Sequence, residues 1–200
     1  MANYRTSRIL PTVLTIIVIV IAIAGLVALA RLIFTGSATG SNADVNLTQQ
    51  HLLDTTDGRA VSMTVRGPII ADEDFRSYQI VVSPAQRQFT TYTGYLDVIM
   101  SRQSLSNNTA AYSQFVNALN KANFAVGKPF EGDKNNVLGI CATGKVYEFR
   151  TLYFGEEEEM LWTSTCSGSP GSLRASVTQL SQLFLNQVPE GSEITKQLRL

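Results

Sequence analysis

The sequence predicts an α+β fold, in which one N-terminal transmembrane helix precedes an antiparallel β-sheet domain covered by two helices. Three observations lead to this prediction. A long apolar run lies near the N-terminus, short segments of alternating apolar and polar residues follow it, and two stripes of apolar residues at helical spacing lie between and after those segments. An antiparallel sheet that buries one face under helices is the arrangement that such a pattern favours.

The apolar run covers residues 9–34 and has no charged side chain before Arg31. A helix needs about 20 apolar residues to cross a bilayer. A cleaved signal peptide is the alternative, with residues 28–30 or 41–43 as the cleavage site, but its apolar region spans only about 7–15 residues. The length of the run therefore predicts an uncleaved transmembrane helix.

The charges that flank the run predict its orientation. Arg5 and Arg8 precede it, whereas only Arg31 follows it before an uncharged stretch. Because the side richer in Lys and Arg stays in the cytoplasm, we expect residues 1–8 to be cytoplasmic and the C-terminal domain to be extracytoplasmic, with the chain at the cell membrane. Residues 35–46, rich in Gly, Ser, Thr, Ala and Asn, predict a flexible linker.

The domain comprises residues 47–200, and its first half predicts three strands and one helix. Residues 47–57 form a short helix or an ordered lead-in to the core. Alternation of apolar and polar side chains predicts strands over residues 59–67, 78–83 and 88–95. Residues 96–100 are interpreted as one helical turn. The apolar stripe of Tyr112, Phe115, Val116 and Leu119 then predicts a helix over residues 107–123.

The second half of the domain predicts the same order again. Strands are expected over residues 137–141, 145–154 and 160–166, with Gly, Pro and Ser marking the turns. The four glutamates at 156–159 are expected at the tip of a hairpin. An apolar stripe at helical spacing predicts a last helix over residues 172–187, with Ser172 as its N-cap. The predicted order is therefore βββα followed by βββα.

The charge of the domain limits its partners. Three of the 16 Lys and Arg residues precede Thr35, so 13 remain against 16 Asp and Glu from Thr35 onward. This weakly acidic balance argues against a nucleic-acid partner, and no Gly-rich phosphate loop is present. The expected partners are the lipid bilayer, through residues 9–34, and an envelope protein or glycan.

The two cysteines, Cys141 and Cys166, predict a disulfide because an extracytoplasmic location is oxidising. If both occupied ladder positions on either side of one strand, they would lie about 10 Å apart. A disulfide needs a Cα separation below about 7 Å, so one cysteine must lie off the ladder or the strand order must differ. Buried free thiols are the alternative, since two Cys and one distant His do not make a metal site.

Clustered carboxylates are the candidate contact residues for a cation or a basic partner, although such clusters are commonly just solvated. They are Asp72, Glu73, Asp74, Glu156, Glu157, Glu158 and Glu159. His51 is the only histidine, and no signature of a Ser-His-Asp triad accompanies it. We therefore predict no catalytic residue, no metal ligand and no cofactor.

Four parts of the domain carry a resemblance to other proteins: residues 65–75, residues 161–166, Cys141 with the strand after it, and the Leu-Phe-x-x-Gln-Val-Pro stretch at residues 183–189. These segments resemble those of uncharacterised single-pass membrane-anchored proteins of Saccharibacteria-type bacteria. It implies an anchored, disulfide-linked surface domain in a bacterium. It implies no known activity and no catalytic residues.

The leading functional hypothesis is a non-enzymatic binding or assembly module of the cell envelope. One alternative is an envelope hydrolase that uses carboxylates of the 72–74 region. Another is a subunit of a surface assembly that packs through its N-terminal helix. A deep cleft holding two carboxylates would favour the hydrolase. An exposed apolar patch or an open sheet edge would favour binding or assembly.

Overall fold

The computed structural model describes residues 47–198 and residue 200. The predicted cytoplasmic N-terminus (1–8), transmembrane helix (9–34) and linker (35–46) lie outside the described residues. Among the helices within residues 47–198, none combines the length and the apolar character that crossing a membrane requires.

Six strands form one sheet in which every neighbouring pair is antiparallel. They are β1 (Arg59–Arg66), β2 (Arg76–Val82), β3 (Gln86–Thr93), β4 (Val98–Ser106), β5 (Val146–Tyr153) and β6 (Glu156–Ser164). Their order across the sheet is β4-β3-β2-β1-β5-β6, so β4 and β6 are the two edge strands. The α+β fold with an antiparallel sheet is as the sequence predicts.

Four α-helices accompany the sheet: α1 (Leu47–Leu53), α2 (Thr109–Lys121), α3 (Val177–Leu185) and α4 (Gly191–Gln197), with a 3₁₀ turn at Gly132–Asn135. Alternate side chains of the central strands, such as Met63, Ile80 and Phe149, are fully or almost fully buried in one cluster with the stripes of α2 and α3. Because the alternation places these side chains on one face, the helices pack on that face. This layer is the main core.

The opposite face of the sheet is polar at its centre. Glu148, on β5, is only 1% exposed and lies between two guanidinium groups. Arg66 Nε donates to it at 2.9 Å, and Arg150 pairs with its other oxygen. Removing a buried carboxylate from water is costly unless charged donors pair with it. The two arginines supply that pairing.

The predicted βββα-βββα order is wrong, because four strands precede α2 and two follow it. Residues 96–100 do not form a helical turn. Gly94 and Asp97, with φ of 69° and 51°, turn the chain after β3, and Val98–Ser106 returns beside β3 as β4. This strand lies at an edge with side chains exposed on both sides, so its sequence shows no apolar alternation.

Residues 137–141, predicted as a buried strand, instead form a loop. The side chain of Asn136 accepts a hydrogen bond from Leu138 N at 2.9 Å, and Gly139 has a φ of 75°, which a strand does not allow. The apolar side chains are explained by packing, since Val137 and Ile140 cover the cluster around Cys141 and Trp162. An apolar run of five residues cannot distinguish these two outcomes.

The helix predicted over residues 172–187 is shorter. Its N-cap is Ser176, whose hydroxyl accepts from Gln179 N at 3.3 Å, and α3 begins at Val177. Ser172 instead accepts a hydrogen bond from Trp162 N at 3.1 Å. Beyond α3 the chain forms one more helix, α4.

Candidate functional site

The disulfide joins Cys141 and Cys166, whose Cα atoms are 5.6 Å apart. Cys141 lies in the loop before β5, and Cys166 lies just beyond the end of β6. Both cysteines are therefore off the ladder, which is the condition that the strand spacing requires for a bridge.

The segment after Cys166 covers one half of the outer edge of β6. Backbone N–H groups of Ser172 and Leu173 donate to Trp162 O at 2.9 and 3.0 Å. Gly171, with a φ of 75°, passes so close that a Cβ there would overlap the carbonyl oxygen of Trp162. These contacts occupy backbone groups that an added strand would otherwise use.

The other half of β6 holds the four glutamates. The hairpin turn consists of Phe154 and Gly155, both with positive φ (49° and 87°), as in a type I′ turn. The prediction that residues 156–159 form the tip is therefore wrong, since Glu156–Glu159 begin β6. Charged side chains along an edge strand oppose pairing with another strand.

Three of these glutamates contact other parts of the domain. Glu157 accepts from Arg150 Nε at 2.6 Å on the polar face of the sheet. Glu158 pairs with Arg59 and lies 3.2 Å from His51 Nδ1, with the geometry of an ion pair rather than a hydrogen bond. Glu159 accepts a hydrogen bond from the Thr48 hydroxyl. Only Glu156 has no such contact within the described residues.

The contacts with Thr48 and His51 attach α1 to the β5–β6 hairpin. Burial raises the pKa of Glu159, His51 opposes this shift and Glu158 adds to it. Desolvation lowers the pKa of Arg59, but Glu158 and Asp54 outweigh it, so the net pKa is raised and the guanidinium stays charged. Glu158 and Glu159 are thus engaged in contacts within the fold.

The second acidic cluster lies at the opposite end of the sheet. Arg59 of β1 pairs with Tyr153 beside the glutamates, whereas Arg66, at the other end of β1, pairs with Ser77 near residues 72–74. Asp72 accepts from Tyr95 N at 2.8 Å and supports the β3–β4 turn. Glu73 and Asp74 are exposed. The structure does not bring the two clusters together.

No group of three or more potential metal-ligating side chains occurs within the part of the chain that the structure describes. Three cavities among the described residues are lined by one carboxylate side chain in all, Glu131 in a cavity beside Phe130. A glycosidase-type pair of carboxylates needs both groups in one cleft. The buried Glu148 is enclosed by its arginines and lines none of these three cavities.

The β4 edge differs from the β6 edge. No described residue pairs with its outer side. Leu96 in the preceding turn is 89% exposed, and Val98, Ile99 and Met100 are 57%, 48% and 51% exposed. Arg102 is the one charged residue of the strand. An open edge with apolar side chains is a template for pairing with another extended chain.

An apolar cavity of about 320 Å³ adjoins the turn that leads into β4. Tyr95 links the two features, because its ring stacks on Phe75 with centroids 4.2 Å apart and its hydroxyl donates to Ile70 O at 2.7 Å. Ile69, Leu138 and Ile140 also line the cavity. The cavity and the β4 edge meet at Tyr95, and we call the exposed residues there the β4 surface: residues 95–100 together with Ile69, Ile70 and Leu138.

Sequence reasoning missed the β4 surface. The signals that could have revealed it are Gly94 and Asp97, both residue types that tolerate positive φ, followed by the β-prone Val98 and Ile99. Of the seven carboxylates that sequence reasoning singled out, four are instead engaged within the fold: Asp72, Glu157, Glu158 and Glu159.

The chain matches no protein family, no curated protein and no solved structure. The chemistry of the β4 surface is therefore the guide to function. Its backbone offers N–H and C=O groups, its side chains offer mainly apolar contact, and Asp97 is the one charged residue among residues 95–100. These properties suit recognition of an extended peptide segment.

Proposed function

We propose that the chain is a single-pass membrane-anchored protein whose extracytoplasmic domain is a non-enzymatic binding module of the cell envelope. Its partner is an extended segment of another envelope protein, which adds to the sheet at β4 and places apolar side chains against the β4 surface. The observation that carries this proposal is the open, apolar β4 edge.

The contrast with β6 supports this proposal. One half of β6 is covered by residues 171–173, and the other half carries four glutamates. Natural proteins commonly protect edge strands by these two devices. Since the same domain leaves Val98–Met100 exposed at its other edge, that edge suits a partner strand.

Two sequence features and one structural feature support the location. The apolar run at residues 9–34 predicts the anchor, and Arg5 and Arg8 predict its orientation. The Cys141–Cys166 disulfide is typical of a domain outside the cytoplasm. A C-terminal tag that is degraded by protease added to spheroplasts would agree with this orientation, whereas a protected tag would contradict it.

Site-specific photo-crosslinking in cells tests the binding surface. The photoreactive residue benzoylphenylalanine replaces Met100 on β4, and Glu156 on β6 is the matched control, because both side chains are exposed on edge strands. We expect one discrete protein adduct from position 100 and none from position 156. Equal adducts at both positions, or none at position 100, would contradict the proposal.

The mass of the adduct separates the proposal from the assembly alternative. An adduct with a different envelope protein supports a binding module. An adduct of twice the chain's own mass of 21.8 kDa would instead show that copies of this chain assemble through β4.

A further inference from the structure

A second cavity, of about 370 Å³, lies on the helix-covered side of the sheet between its central strands and helices α3 and α4. We call it the tyrosine pocket, after Tyr78 of β2 and Tyr147 of β5, which line it. Both tyrosines pair with Val65 of β1, so their side chains lie side by side across one strand. This site is separate from the β4 surface.

The floor of the tyrosine pocket offers hydrogen-bond donors that nothing in the domain uses. Neither tyrosine hydroxyl makes a hydrogen bond to any residue that the structure describes, although Tyr78 as a whole is only 4% exposed. Burial raises the pKa of both Tyr78 and Tyr147, so both hydroxyls keep their protons at neutral pH. Two neutral O–H groups therefore face one space.

Helix α3 adds a polar wall to the pocket. Thr178, Ser181 and Gln182 line the pocket, next to the stripe of Leu180 and Phe184 that enters the core. The Ser181 hydroxyl oxygen is buried and has no hydrogen-bond partner within the described residues. A buried polar atom without a partner costs free energy and calls for an explanation.

Two ammonium groups line the pocket. They are Lys145, at the start of β5, and Lys196, on α4; the C-terminal residue Leu200 lines it as well, and no Asp or Glu side chain does. Lys196 is paired with Glu193 at 2.7 Å, whereas Lys145 makes no ion pair within the described residues. Val65, Val177 and Leu185 supply apolar walls beside these groups.

We propose that the tyrosine pocket binds a small organic anion, with a carboxylate or phosphate head and a short aliphatic body. The head accepts hydrogen bonds from the tyrosine and Ser181 hydroxyls and lies near the Lys145 ammonium. The aliphatic body packs against Val65 and Leu185. The cavity volume is at the lower end of the range for small-molecule sites, so the ligand is the size of an amino acid.

Calorimetric titration of the full chain in lipid nanodiscs tests this inference, with empty nanodiscs as the blank. The probes are butyrate, butyl phosphate, butylammonium and butanol, which share one aliphatic body. We expect saturable binding of one or both anions, with the tighter of the two identifying the head group. Binding of butylammonium as strong as that of the anions, or no saturable anion binding, would overturn the inference.

Three variants identify the site. Each of the variants Lys145→Gln, Tyr147→Phe and Ser181→Ala should lower the affinity for the anion by about tenfold. This is the effect of losing one hydrogen bond to a charged group. Lys134→Gln removes a lysine of another cavity and should leave the affinity unchanged. Ser181→Ala removes a hydroxyl that has no partner, so it should fold normally. Unchanged affinity in a folded Ser181→Ala and Tyr147→Phe would place the anion elsewhere.

This result is independent of the crosslinking at β4, because no residue of the tyrosine pocket belongs to the β4 surface. Loss of anion binding with intact crosslinking, or the reverse, shows which of the two proposals fails.

Discussion

The two edge strands of the sheet, β4 and β6, differ in how their outer sides are protected against pairing with another strand. Each presents a row of unpaired backbone groups that invites another strand. At β6 the segment around Ser172 covers one half of the edge and four glutamates occupy the other. At β4 the edge is open, and Val98, Ile99 and Met100 are exposed.

This difference shows that prominence in the sequence and availability on the surface are separate properties. The run of glutamates is the most obvious charged feature of the domain, yet Glu157, Glu158 and Glu159 are engaged with Arg150, Arg59 and Thr48. The β4 strand has no comparable motif, yet it is the exposed apolar edge. Because the β6 edge is protected against strand pairing, the exposure of the β4 edge in the same domain is a stronger indication of a partner.

Removing the disulfide has the largest expected effect on the β6 side. Cys141 and Cys166 are separated by 25 residues, and the chain-entropy model gives about 3.5 kcal/mol for a loop of this size. The double variant Cys141→Ser with Cys166→Ser should lose that much free energy of unfolding in urea titrations. Reduced wild-type protein is the control and should match it. A loss below about 1 kcal/mol would show that the bridge contributes little.

Gly171→Ala tests the cover over β6 directly. The new Cβ would overlap Trp162 O, and the φ of 75° is unfavourable for alanine. We expect a loss of about 2–3 kcal/mol and faster amide exchange along β6. Gly168→Ala, where no atom lies within 4 Å of the new Cβ, is the matched control and should be close to neutral. Equal stabilities of the two variants would mean that the cover is loose.

Glu158→Gln tests whether the glutamates serve the fold. Glu158 pairs with Arg59 and lies beside His51, so losing its charge should cost about 1.5 kcal/mol. Glu156→Gln removes an equivalent charge with no such contact and should change the free energy of unfolding by less than about 0.5 kcal/mol. If the two variants lose the same amount, the glutamates act only as surface charges.

Glu159→Gln has the smallest expected effect, and the size of this effect depends on pH. Burial raises the pKa of Glu159 in the folded state, so the folded state holds the proton more tightly than the unfolded state. The protonated carboxyl therefore contributes to the free energy of unfolding. This contribution is fully present below the ordinary pKa of a glutamate, and it is lost as the pH rises through the pKa that Glu159 has in the folded state.

The variant should thus melt slightly above the wild type at pH 7 and should lose that advantage as the pH falls below the ordinary pKa of a glutamate. Thermal unfolding monitored by circular dichroism at both pH values checks this. A variant that melts below the wild type at pH 7 would show that the charged carboxylate stabilises α1 through His51.

The sequence predicted the strands whose alternation reports a buried face. Val61, Met63 and Val65 on β1 and the core side chains of β5 are examples, and the stripe of Tyr112, Phe115 and Leu119 likewise predicted α2. The sequence did not predict the segments in which buried and exposed side chains do not alternate regularly. β4 is exposed on both sides, and residues 137–141 are apolar because they pack around a disulfide rather than within a sheet.

The candidate site could be predicted less well than the fold. The pairing of Cys141 with Cys166 followed from cysteine chemistry and from the predicted extracytoplasmic location. The β4 surface depends on strand order, which places residues 95–100 at an edge beside Ile69 and Leu138. The tyrosine pocket depends on Tyr78 and Tyr147 flanking the same central strand. Each of these two sites brings together residues that are far apart in the sequence, so no short sequence motif reveals it.

The most direct test of the difference between the two edges is amide hydrogen exchange of the full chain in its native membranes, compared with the purified protein in detergent. If a partner occupies β4 in the envelope, the amides of residues 98–106 should be at least about tenfold better protected in the membranes. The amides of residues 156–164 should exchange equally in both samples. Equal exchange of β4 in both samples, or a gain of protection confined to β6, would contradict the account.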